Sequence, residues 1–226
     1  MSKRLEGKRA LITQCGAYMG PKSVEMFREE GAEVIAEPAV ITSAEQAREI
    51  VAAAGEVDIL IANFAADASS GTAVHQIDDS TWREKFAVMV DPLHWMVQAV
   101  TPQMTARKKG KIVVFGSATP LRGMRHVAAY SAARGAQVGY VRAVGAELAA
   151  HNINVNLIAQ NFIESEDYYP KSVTETDRFQ AYLRQNIPAR RLGRAEEDVA
   201  LAIFLAGDES DFFCGQIIPF AGGWAT

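Results

Sequence analysis

The sequence lacks the raw material of several protein classes. Its 226 residues include two cysteines, Cys15 and Cys214, far apart and fitting neither a disulfide framework nor a metal motif. The four histidines, His75, His94, His126 and His151, show no metal-ligand spacing. No run of about twenty apolar residues is present, so no transmembrane helix is expected. Positive charge is not in excess: 23 Lys and Arg stand against 27 Asp and Glu, a net charge of −4, which argues against a nucleic-acid partner. Residues 1–8 carry basic side chains with no long apolar stretch behind them. No signal peptide is therefore expected, and a cytoplasmic location is the simplest expectation. Repeats, low-complexity tracts and Pro/Gly-rich linkers are also missing, which points to one domain over residues 1–226.

What is present is a soluble, globular balance, 49% hydrophobic and 22% charged. Short apolar runs alternate with longer helix-like stretches. Arg9–Thr13, Glu33–Ala36, Asp58–Ala62, Lys111–Phe115, Ile153–Ile158 and Gln216–Pro219 read as strands. Gly20–Glu30, closed by Gly31, reads as a helix, as do Ser43–Ala54 with Ser43 as N-cap, a long region Ser80–Ala106, and Val127–Ala150. Near-continuous apolar strands alternating with helices predict an α/β fold, a Rossmann-type doubly wound parallel sheet covered on both faces. Such sheets bind ligands beyond the carboxyl ends of their strands, near the switch in strand order. That directs attention to residues 13–20, 62–66, 116–120 and 159–163.

Ser117 follows the Lys111–Phe115 strand, and Tyr130 and Arg134 lie four apart on one face of the next helix. A tyrosine is a poor base at its ordinary pKa of about 10, but a nearby guanidinium favours the phenolate. A serine can hold a substrate oxygen. Together the three make a device for taking a proton from an alcohol. The plain alternative is a surface Tyr–Arg pair.

The spacing Ser117-x12-Tyr130-x3-Arg134 resembles the Ser-Tyr-Lys site of short-chain dehydrogenases/reductases, with Arg in place of Lys. Residues 128–136, Asn154–Ile158, Gly215–Ile218 and the pair Gly222, Gly223 resemble other signatures of that family over essentially the whole chain. Three departures concern the nicotinamide cofactor. The family opens with T-G-x-x-x-G-x-G, whose glycines let the backbone approach a pyrophosphate. Here Thr13 is followed by Gln14 and Tyr18 at the first two glycine positions, and only Gly20 remains. Arg134 replaces the lysine that also binds the nicotinamide ribose in the family. Met89 stands where the family usually carries an active-site Asn in a proton relay. Glu37, where a ribose-binding acid would stand, reads as a solvated charge.

The same departures resemble the halohydrin dehalogenases, which carry S-x12-Y-x3-R and T-x4-F/Y-x-G, met here by Thr13, Tyr18 and Gly20. Residues 117–120 and 208–226 also resemble this family, nearest its B-type members. The resemblance implies that vicinal haloalcohols become epoxides plus halide by intramolecular displacement, and that epoxides are opened in reverse by halide, azide, cyanide or nitrite. It implies no nicotinamide and no metal, and a homotetramer. Tyr130 would be the base, Ser117 would hold the substrate oxygen, and Arg134 would lower the pKa of Tyr130. The halide would lie among Tyr18, Asn161, Phe162 and Tyr169, with Gln160 and Ile163 contributing backbone. Phe64, Thr119 and Met89 would line the substrate pocket. Tyr168 and Tyr169 can equally be read as anchors of a loop. Glu164 and Glu166 would repel an anion unless they face solvent, so they are expected to point outward. His126 is expected to face solvent, and Trp82, Trp95 and Trp224 to pack. Two rival readings are an NAD(P)-dependent alcohol dehydrogenase or ketoreductase and a non-catalytic ligand-binding relative.

Overall fold

Strand character comes from apolar runs with hardly a polar interruption. β1 (Arg9–Thr13), β2 (Glu33–Glu37), β3 (Ile59–Ala62), β4 (Gly110–Ser117), β5 (Ile153–Gln160) and β6 (Ile217–Phe220) form one parallel sheet in the order β2-β1-β3-β4-β5-β6. The computed structural model describes residues 3–68 and 71–226. β3, β4 and nearly all of β5 are buried, as a sheet covered on both faces requires.

Period-two alternation sends neighbouring residues to opposite layers. Leu11, Leu60, Ile112, Val114, Val155 and Leu157 pack on one face against α2 (Ala44–Ala54), α4 (Asp91–Arg107) and α6 (Ala128–Leu148). Ala10, Ile12, Ile61, Val113, Phe115 and Ile158 pack on the other against α1 (Gly20–Glu29) and α9 (Ala195–Ala206). The fold is the expected single-domain Rossmann-type sheet with helices on both sides.

Two readings of the chain change. The long region 80–106 is two helices, α3 (Asp79–Met89) and α4, broken at Val90. Pro92 is the reason: its ring excludes the backbone of the preceding turn, and it has no N–H to continue the ladder. The stretch after β5, assigned no element from sequence, contains α7 (Lys171–Thr174), α8 (Asp177–Asn186) and α9. α5 (Thr119–Arg122) is a single turn after β4. Ser43 caps α2 as expected, accepting from Gln46 N at 3.1 Å. No helix among the described residues is long and apolar enough to cross a membrane.

From β1 the chain passes to β2 on one side and then to β3 on the other. The strand order reverses there, and the loops after β1 and β3 splay apart to leave a crevice. Thr13 stitches its floor, donating to Ile61 O and accepting from Asn63 N at 3.1 Å.

Candidate active site

A cavity of about 190 Å³ opens at the carboxyl end of the sheet. Ser117 comes to it as the last residue of β4, and Tyr130 and Arg134 from the first two turns of α6. Tyr18, Thr119, Gln160, Asn161, Phe162, Ile163 and Tyr169 also line it. Phe64 and Met89 do not. Met89 is fully buried in a cluster behind Tyr130, and Phe64 belongs to the core. Each reaches the site only through its carbonyl, which accepts from Arg134 or Gln137.

The Ser117 hydroxyl accepts from Thr119 N at 3.1 Å, and its hydrogen points toward Thr119 Oγ1 at 3.1 Å. The proline turn that opens α5 thus holds the Ser117 hydroxyl at the cavity wall. Arg134 is 2% exposed. Its Nη1 donates to Phe115 O (2.9 Å), Phe64 O (3.0 Å) and Gln137 Oε1 (2.9 Å), so it ties the ends of β3 and β4 to α6. Its Nη2 donates to Tyr168 Oη at 3.4 Å, and its guanidinium carbon lies 5.1 Å from the centre of the Tyr130 ring. Burial opposes this charge, but the oxygens of Tyr130 and Tyr168 outweigh burial, and the guanidinium stays protonated.

Tyr168 is the member of the site that the sequence did not single out. Its hydroxyl donates to Ala66 O at 2.8 Å and lies 3.4 Å from Tyr130 Oη. Burial first, then the neighbouring Tyr130, hold its pKa well above the ordinary tyrosine value. The adjacent tyrosines look equivalent in sequence, but the turn separates them. Tyr168 joins Tyr130 and Arg134, while Tyr169 stacks on Phe162 (5.9 Å between centroids) and donates to Asn161 Oδ1 at 3.3 Å. Glu164 and Glu166 are exposed, as expected, and so is His126. Asp167, passed over in the sequence, is exposed and accepts from Tyr18 N at 2.6 Å.

At 160–163 the backbone departs from the expected arrangement. Gln160 contributes no free backbone: its carbonyl accepts from Ala118 N, and its side chain donates to the buried carboxyl of Asp198. Burial pushes that carboxyl up to about 8, against the lowering bond from Gln160. Asn161 spends its side-chain oxygen on Phe162 N and Tyr169, leaving Nδ2 buried and without a partner at the cavity wall. Phe162 has φ +59, a left-handed turn that aims this loop at the cavity. Ile163 is clamped through a parallel bridge to Gly193. Trp224 packs, as expected, edge-on against Phe162 (5.7 Å) and under Arg122 (4.9 Å).

The loop after β1 keeps the backbone of a glycine-rich turn without the glycines. Gln14 and Tyr18 both have positive φ, +47 and +52, at a strain of about 1 kcal/mol or more each. Gly20 keeps its reason to be glycine, since a Cβ there would lie 2.5 Å from Gln14 O. Gln14 reaches across the crevice and pairs with both backbone groups of Ala65, donating to its carbonyl at 3.1 Å and accepting from its N–H at 2.9 Å. Tyr18 leans on Tyr168 at a tilt of 38°, 4.9 Å between centroids, and burial, then Asp167, raise its pKa. This fold would seat the pyrophosphate of a dinucleotide at the start of α1 and run the rest across the crevice. The Gln14–Ala65 clamp and the Tyr18–Tyr168 contact take that space, so the residues present do not fit such a cofactor. Among the described residues no cluster of His, Cys, Asp and Glu could hold a metal ion. Glu37 accepts from Ala39 N at 2.7 Å and caps its own turn.

Comparison with known proteins gives two kinds of relative. The family described as Enoyl-(Acyl carrier protein) reductase matches residues 5–225. A 2-keto-3-deoxy-L-fuconate dehydrogenase of Xanthomonas campestris pv. campestris is 30% identical, over 99% of this chain and 82% of its own. A solved structure described as a dehalogenation enzyme is 29% identical with a TM-score of 0.90, covering 98% of this chain and 100% of that one. A halohydrin dehalogenase bound to ethyl (2S)-oxiran-2-ylacetate is 25% identical with a TM-score of 0.88, covering 97% and 98%.

Proposed function

The chain belongs to the enoyl-(acyl carrier protein) reductase family of the short-chain dehydrogenase/reductase superfamily, and from that premise we propose that it is a halohydrin dehalogenase, a cofactor-independent carbon–halogen lyase. The observation that carries this reading is the filled crevice, with Gln14 clamped to Ala65 and Tyr18 leaning on Tyr168 where the fold would otherwise hold a nicotinamide dinucleotide. A reaction that moves no hydride needs no such space.

The Tyr130 phenolate takes the hydroxyl proton of a vicinal haloalcohol. The alkoxide attacks the neighbouring carbon, the C–O bond of the epoxide forms as the carbon–halogen bond breaks, and halide leaves with the bonding pair. Both partners are in one molecule, so the protein supplies orientation and charge stabilisation. The Ser117 hydroxyl, whose hydrogen rests on Thr119 Oγ1, turns it to the substrate oxygen when substrate is bound. The unpartnered Nδ2 of Asn161, in a cavity wall shared with the rings of Tyr18, Phe162 and Tyr169, suits a weakly hydrated anion. The same site run backward opens epoxides with halide, azide, cyanide or nitrite. A homotetramer without nucleic-acid or membrane partners is part of the proposal.

The test is halide release from a simple vicinal bromoalcohol without added nicotinamide, in wild type and Tyr130→Phe. Release that vanishes in the variant supports the reading, and no release from several small haloalcohols refutes it. The second reading, an NAD(P)-dependent alcohol dehydrogenase or ketoreductase, is favoured by the 30% identical dehydrogenase. Saturable quenching of NAD(P)H fluorescence by wild type would favour it.

A further inference from the structure

Three oxygens and one guanidinium meet at the floor of the cavity. Tyr168 Oη lies 2.8 Å from Ala66 O, and because a carbonyl only accepts, the Tyr168 hydrogen points there. Its lone pairs are then free to accept from Arg134 Nη2 and from the Tyr130 hydroxyl, each 3.4 Å away. In this arrangement Tyr168 stabilises the protonated, inactive form of Tyr130. The geometry cannot stay so once Tyr130 ionises, because a phenolate offers no hydrogen and two lone pairs would face each other. The Tyr168 hydroxyl has one rotatable hydrogen with two acceptors in reach, and a hydrogen bond to a charged oxygen is roughly twice as strong as one to a neutral carbonyl.

Resting on the dehalogenase reading, we propose that Tyr168 is a positioning residue for the base: its hydroxyl accepts the Tyr130 hydrogen in the resting site and turns from Ala66 O to donate to the Tyr130 phenolate in the reactive one. Arg134 anchors this exchange from below through Nη2. Tyr168 can act as a switching donor because it remains a phenol itself, being buried and next to Tyr130. The groups facing it are few. Tyr130 and Arg134 come from α6, and Tyr18 from the loop after β1. Ala66 comes from the loop after β3, with Asp67 beyond it toward Lys85 at 3.9 Å. Its own segment gives Tyr169 and Asp167, whose carboxylate is engaged by Tyr18 N.

Removing the hydroxyl takes this donor from the phenolate and leaves it the guanidinium alone, so Tyr130 should ionise at higher pH. The upward shift is about one pH unit, the difference between a charge-assisted and a neutral bond. The direct measurement is a tyrosinate absorbance titration of the free protein in wild type, Tyr130→Phe, Tyr168→Phe and Tyr168→Leu, with folding checked by circular dichroism. Tyr168→Phe keeps the ring and its contact with Tyr18. The tyrosinate signal that Tyr130→Phe removes should move up by about one unit in both Tyr168 variants. The alkaline-rising limb of kcat/KM for halide release should move with it. A phenolate that stays in place or moves down in both Tyr168 variants overturns the proposal. The titration reads Tyr130 without substrate, so a protein that releases no halide but shows the shift refutes the dehalogenase reading alone. Halide release whose pH limb ignores Tyr168 refutes the positioning role alone.

Discussion

Arg134→Met tests whether the guanidinium is a structural clamp as well as an electrostatic aid. The side chain is 2% exposed and gives Nη1 to three acceptors on three elements, at 2.9, 3.0 and 2.9 Å. Methionine matches much of its length but donates nothing. Phe115 O and Gln137 Oε1 lose this donor, and Phe64 O keeps only Gln137 Nε2 at 3.4 Å, a group that also donates to Met89 O at 2.7 Å. A buried acceptor deprived of its partner costs about 1–3 kcal/mol. Some of this is recovered, because the substitution also removes a buried charge that burial disfavours. The net loss is about 3–5 kcal/mol, or 1–2 M in the urea midpoint at a slope of roughly 2–3 kcal/mol/M. Arg134→Lys keeps the charge but cannot span all three acceptors, and should fall about midway. Equilibrium unfolding followed by tryptophan fluorescence and circular dichroism together reads both. A midpoint for Arg134→Met within about 0.3 M of wild type, roughly 1 kcal/mol, would show that the clamp contributes little and that the charge serves the tyrosines alone.

Asp198 gives a pH signature of the opposite sign to an ion-paired carboxylate. Its folded pKa, about 8, lies above the unfolded value near 4, so the folded state holds a proton the unfolded state has lost, and stability falls as pH rises through this window. Asp198→Asn should remove up to about 1.4 kcal/mol per pH unit of this slope between pH 5 and 8, and chemical unfolding of the two proteins across that range checks it. A parallel pair of curves would mean that the carboxyl ionises as freely folded as unfolded. Gln14→Ala removes both bonds to Ala65 while keeping a positive φ, and should destabilise by about 1–3 kcal/mol. Thermal unfolding measures this, and an unchanged Tm would show that the clamp across the crevice is not formed in solution.

The sheet was legible in the sequence because each strand is a short, nearly unbroken apolar run and a buried parallel sheet demands little else. Ser117, Tyr130 and Arg134 were legible because a fixed helical spacing and a strand end place them together wherever that local structure forms. The same holds for Gln14 and Tyr18, whose interest lies in what they are not. What lay beyond the sequence depends on contacts between distant segments. Phe64 and Met89, expected at the pocket, stand behind it, because the break at Val90 and the Arg134 clamp bring their carbonyls forward rather than their side chains. Gln160, expected to offer backbone, is committed through its side chain to Asp198, on a helix that begins 35 residues later and left no clear mark in the chain. Tyr168 and Tyr169 are adjacent and chemically identical on paper. Only the course of the loop after β5, held by Gly193 and by Asp167 on Tyr18, turns one ring to Tyr130 and the other to Asn161. Periodicity and spacing act within a few residues of the chain, and they determined the fold and the grouping of Ser117, Tyr130 and Arg134. Which of two neighbouring side chains faces the cavity was decided in large part by hydrogen bonds between distant segments, such as Tyr168 to Ala66 and Gln160 to Asp198, and these exist only once the sheet has brought the loops together.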